Sequence, residues 1–125
     1  MTISKELGRF SFNAAATKIL QENAVETILL MWDRDSRKVG IRRIGKKDGR
    51  SYSLRTAKSN RGSGFAAKTF LQHIGYDYSE TRAFACDWDE ADNTFVFTIP
   101  EEAMRGAEKV ARMEKKEARV GARGL

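Results

Sequence analysis

One cysteine, one proline and one histidine leave little material for several kinds of chemistry. A lone Cys86 cannot form a disulfide within the chain, which predicts a reducing compartment. With His73 as the one imidazole beside that one thiol, no zinc site made of those ligands can be assembled. Pro100 alone argues against long disordered linkers. No apolar run approaches the roughly 18 residues of a membrane span. Met1 to Phe12 also lacks the apolar stretch of a secretory leader. The expectation is a cytoplasmic chain with no membrane partner. The phosphate loop, the nucleophile elbow, H-E-x-x-H and paired C-x-x-C are missing too. Together these absences predict a protein that is not an enzyme and that carries no cofactor, metal ligand set or catalytic residue.

What is present is an ordinary globular balance, 41% apolar and 32% charged over 125 residues. That is enough for one domain with a real core. The reading is a single globular domain over residues 1–100, followed by a charged, basic C-terminal helix and tail over 101–125. The net charge of +6 hides a strong polarity. Arg34 to Arg61 holds eleven basic residues and two acids, Asp77 to Glu102 holds eight acids and one arginine, and Ala103 to Leu125 is basic again.

Arg9 to Phe12 alternates and reads as a strand. Asn13 is a good N-cap for a helix from Ala14 to Glu22 with Ala15, Ile19 and Leu20 inward. Thr27 to Trp32 reads as a buried strand, and Lys38 to Ile44 as its returning partner across an aspartate-rich turn. Tyr52 to Thr56 reads as the next strand. Ser63 is placed to cap a helix from Gly64 to Ile74, with Phe65, Phe70, Leu71 and Ile74 inward and Gly75 as its stop. Thr81 to Trp88 and Thr94 to Ile99 read as a second hairpin. A last helix is expected from Pro100 to about Arg119, led by Glu101 and Glu102.

Two stretches look alike. Ala15-Ala16-Thr17-Lys18-Ile19-Leu20-Gln21 parallels Ala66-Ala67-Lys68-Thr69-Phe70-Leu71-Gln72, and the Trp32-Asp33 hairpin parallels the Trp88-Asp89 hairpin. The order predicts an α+β fold of two β-α-β-β units, about 8–44 and 50–99, from an internal duplication. They would form antiparallel sheet with covering helices.

The basic segment carries the functional expectation. If Lys38–Ile44 pairs with Tyr52–Thr56, then Arg42, Arg43, Lys46, Lys47, Arg50, Arg55, Lys58 and Arg61 gather along one sheet edge. Such a cluster neutralises phosphates, which predicts DNA or RNA binding through the backbone with little sequence specificity. No groove-reading motif accompanies it. The alternative is a self-associating module, a homo-oligomer held by the complementary basic and acidic segments. Asp33 and Asp89 occupy matching positions and could form a carboxylate pair, though turn aspartates ordinarily bond their own backbone. His73 reads as a helix C-terminal residue and Cys86 as a buried, inert thiol.

Overall fold

A computed structural model describes residues 1–46, 49–56 and 62–104. The chain begins with β1 (Thr2–Ile3) and β2 (Arg9–Phe12), which pair antiparallel. Asn13 then turns the chain into α1 (Ala14–Glu22), its Oδ1 accepting from the Ala16 amide at 2.9 Å. β3 (Thr27–Asp33) and β4 (Lys38–Arg43) form the first long hairpin. Two short strands follow, β5 (Ser51–Ser53) and β6 (Arg55–Thr56), and then β7 (Ser63–Ala66) and α2 (Lys68–Ile74). β8 (Arg82–Ala83), β9 (Asp87–Asp89), β10 (Thr94–Thr98) and a 3₁₀ turn at Glu101–Ala103 complete the described chain.

The fold is α+β. Its strands make two five-stranded antiparallel sheets, β6-β7-β2-β1-β8 and β5-β3-β4-β10-β9. Period-two alternation puts Phe10, Phe12 and Phe65 on the inner face of the first sheet, and Val39, Ile41, Phe95 and Phe97 on that of the second. The rings interlock between sheets, Phe12 stacking on Phe95 at 5.7 Å and Phe10 meeting Phe97 edge-on at 6.2 Å. Burying each such side chain contributes roughly 1.5–3 kcal/mol. An exposed pair such as Lys18–Glu22 adds about 0–1 kcal/mol. The aromatic layer therefore dominates.

α1 carries the chain from the first sheet to the second, whereas α2 leads from β7 to β8 within the first sheet. α1 buries Thr17 and Leu20, and α2 buries Leu71 and Ile74. Both end the same way. Val25 N donates to Leu20 O and Ala24 N to Gln21 O, while Tyr76 N donates to Leu71 O and Gly75 N to Gln72 O. A left-handed residue follows each helix, Ala24 at φ 51° one residue beyond Asn23 and Gly75 at φ 81° directly after Ile74.

Several expectations are corrected. Tyr52 to Thr56 is not one strand: Leu54 divides it, β5 joining the second sheet beside β3 and β6 joining the first beside β7. Lys38–Ile44 therefore pairs with β3 and β10, not with this segment. Second, Ser63 does not cap a helix. Ser63 to Ala66 is a strand because Phe65 fills the core opposite Phe10, their rings 4.8 Å apart, and α2 starts only after Ala67. Third, Thr81 to Trp88 is divided between β8 and β9. The inward position expected of Ala15 is also wrong, since Ala15 is exposed and Thr17 points inward instead. After Pro100 the chain makes a 3₁₀ turn and Met104 is extended, bridging to Tyr76. The rest of the expected C-terminal helix lies outside the described residues.

Candidate functional site

The two hairpins hold the aspartates apart. Asp33 Oδ1 accepts from Asp35 N at 3.1 Å and Ser36 N at 3.4 Å, and Asp89 Oδ1 accepts from Ala91 N at 3.0 Å and Asp92 N at 3.4 Å. These bonds form the turns, and those from Ser36 pull the Asp33 carboxyl below its ordinary value. Asp33 stands opposite Lys38, and Asp89 opposite Thr94. Three interstrand steps of roughly 4.8 Å separate them, at opposite ends of the β4–β10 pair. They cannot act as one carboxylate pair.

The basic residues do not lie on one face. Arg42 pairs with Leu29 and Thr94 and shares the outer face of the second sheet with Gly40 and Met31. Arg43 Nε donates to Ala24 O at 3.3 Å, which ties its side chain to the end of α1. Lys46 and Arg50 are exposed on the connection that follows. Arg55 pairs with Gly64, so alternation puts it on the outer face of the first sheet, away from Arg42 across the core. Lys47, Lys58 and Arg61 lie outside the described residues.

Beside Arg55 is a residue that the sequence reading missed. Arg9 on β2 occupies the same outer face, and its Nη2 would stand 3.3 Å from a Cβ placed on Gly64. Arg9, Arg55, Ser11, Thr56 and Gly62 line a depression of about 300 Å³. Gly64 has no side chain to fill it, and a Cβ there would strike the Phe10 carbonyl oxygen. Neither arginine has a carboxylate within 4.0 Å among the described residues, where the ion pairs are Lys18–Glu22 and those of Arg82. Arg9 is remote in sequence from the basic segment. Only the strand order β6-β7-β2 brings it near, so no local signal could have found it.

The acidic quarter occupies other edges. Arg82 bonds the Asp77 carbonyl and pairs with Asp77 at 3.4 Å and Glu80 at 3.6 Å. Hydrogen bonds from Ser79, then the Arg82 charge, lower the Asp77 carboxyl. Asp87 and Asp89 lie on β9, the edge of the second sheet opposite β5.

A larger cavity of about 620 Å³ lies between the first hairpin and the end of α2, where Trp32, Arg34, Arg37 and His73 meet. His73 is exposed in the last turn of α2, as its sequence position suggests. Cys86 is half-buried against the core, and burial pushes its thiol up to about 11, which makes it a poor nucleophile. No group of three or more His, Cys, Asp and Glu side chains converges to hold a metal ion among the described residues. No helix among them is long and apolar enough to cross a membrane. Comparison with protein-family models, curated proteins and solved structures finds no match for the chain.

Proposed function

We propose that this chain is a small, non-enzymatic nucleic-acid-binding protein that holds phosphates on the outer face of its first sheet, with little sequence specificity. The observation that carries the reading is the pair Arg9 and Arg55. Two guanidinium groups without carboxylate partners among the described residues flank a depression floored by glycine and hydroxyl residues, where a phosphate can approach the backbone closely. Lys46 and Arg50 extend the basic track along the side where the chain crosses from sheet to sheet. Arg42 lies outside this track on the opposite face. The depression contains no exposed aromatic platform, which favours backbone contact over base reading there. The test is binding of labelled DNA and RNA fragments at low and at physiological salt. Affinity should fall steeply with salt, and no binding at low salt overturns the proposal.

The scaffold supports a second inference, an internal duplication of a β-α-β-β unit, with β2-α1-β3-β4 matching β7-α2-β9-β10. A twofold exchange of the units maps the pair Arg9–Ala66 onto Phe12–Ser63, and Arg42–Thr94 onto Lys38–Thr98. It also maps the bond from Arg43 N to Asn93 O onto that from Ile99 N to Arg37 O, at 2.9 and 2.8 Å. The basic segment is then the connection between units.

A second functional reading, self-association, draws on the second sheet alone. One edge, β5, adjoins Arg50, and the other, β9, carries Asp87 and Asp89. Copies joined edge to edge would be separated by salt without nucleic acid present, which sedimentation at two ionic strengths measures.

A further inference from the structure

We propose that the cavity at Trp32 receives an unpaired nucleobase, so that the nucleic acid bound is single-stranded; this rests on the nucleic-acid reading above. Trp32 is half-buried at the turn end of β3, where its indole lines the cavity together with Ile74 and Met104. Among the described residues no phenylalanine, tyrosine or tryptophan ring pairs with it. Its counterpart in the second hairpin, Trp88, is by contrast packed edge-on against Phe95 at 5.0 Å. Both tryptophans pack against the core, Trp88 beside Phe95 and Trp32 at the wall of the cavity.

The charges around Trp32 suit a phosphate attached to that base. Arg37 is held in place, with its backbone left-handed at φ 54° and its Nε donating to Ile99 O at 3.0 Å. Its terminal nitrogens make no further bond among the described residues. Arg34 is exposed and has no carboxylate within 4.0 Å among the described residues. Among the described residues the single acid on the wall is Glu101, which the two guanidinium groups outnumber. A fixed guanidinium beside an indole that lines a cavity is the arrangement that stacks a base and anchors its phosphate. The matching position in the second hairpin carries Glu90 in place of Arg34, so the unit repeat does not repeat this chemistry. The volume of about 620 Å³ lies within the usual range of small-ligand sites. Bases in a duplex are stacked and paired and cannot present a face to Trp32, whereas an unpaired base can be splayed out onto it.

The experiment uses the full chain carrying Trp88→Phe, so that the fluorescence is that of Trp32. A short oligothymidylate and a blunt duplex of equal length are titrated at low salt, with anisotropy giving the affinities. The single strand should quench Trp32 and bind at least about tenfold tighter than the duplex, and Trp32→Leu should remove about tenfold of single-strand affinity while leaving that for duplex. Equal affinities with Trp32 unquenched overturn this inference and leave the nucleic-acid reading standing. Failure of both probes to bind overturns both. If Trp32→Leu does not fold, Arg34→Glu on the exposed turn decides. It must weaken single-strand binding more than duplex binding, and equal weakening overturns the proposal.

Discussion

Thr17 and Ser63 meet hydroxyl to hydroxyl at 2.9 Å inside the molecule, joining α1 to β7. Both are buried, at 0% and 6% exposure, so neither has water as a substitute partner. Thr17→Val keeps the shape but leaves the Ser63 hydroxyl unpaired, which should cost about 1–3 kcal/mol. Adding Ser63→Ala removes the stranded group, so the double variant should lose less than the sum of the singles. Urea unfolding of the four proteins measures the coupling, and strict additivity would show that the hydrogen bond contributes nothing.

Ala24 and Gly75 end the two helices with the same left-handed geometry but with different residues. A Cβ in that conformation costs about 1–2 kcal/mol, partly offset by the greater freedom of glycine in the unfolded chain. Ala24→Gly should therefore raise stability by about 0.5–1 kcal/mol, and Gly75→Ala should lower it by a similar amount. Thermal melts would show opposite shifts of a few degrees. Shifts of the same sign would refute the shared geometry.

The sequence exposes those parts of the fold that rest on local chemistry. Asn13 caps α1, and both aspartate turns close their hairpins, because each depends on side chain-to-backbone bonds within a few residues. The match between Leu20-Gln21 and Leu71-Gln72 is real at the helix ends, where these residues accept equivalent bonds. It fails at the helix starts, because Ala66 belongs to a strand whereas Ala15 belongs to a helix. β7 is illegible locally. Ser63-Gly64-Phe65-Ala66 has no alternating apolar pattern, and only the distant Phe10 and Thr17 make it a core strand. For the same reason the basic segment reads as one patch in sequence, while Leu54 sends its ends to two sheets and Arg9 arrives from outside it.

Cys86 gives the fold a signature at alkaline pH. Its thiol is raised by burial from 9.0 to about 11, so the unfolded chain ionises first as pH rises. The stability tied to the neutral thiol is complete below about 9 and is lost between there and about 11. Asp33 and Asp77 have lowered values, so their contributions are present above 3.8 and are lost as pH falls below it. Melting midpoints across this range should decline at both ends. Cys86→Ala should flatten the alkaline decline alone, and an unchanged alkaline limb in that variant would remove Cys86 as its cause. Alkylation of Cys86 near neutral pH should also be slower than that of a free cysteine.

Arg9 and Arg55 are exposed and project from neighbouring parts of one outer face, so both can be truncated without disturbing the core. Each phosphate contact adds about one to the slope of log affinity against log salt. Arg9→Ala and Arg55→Ala should each reduce that slope by about one, and the double variant by about two, with uniform weakening across sequences. Arg42→Ala faces the other way from the second sheet and should leave the slope nearly unchanged. Binding of one oligonucleotide to the four variants over a salt series separates these outcomes. If Arg42→Ala reduces the slope and the Arg9/Arg55 double variant does not, the phosphates follow the second sheet and the assignment to the first is wrong. If all three arginines contribute equally, the strand wraps around the β5–β6 side, where Lys46 and Arg50 would be its next contacts.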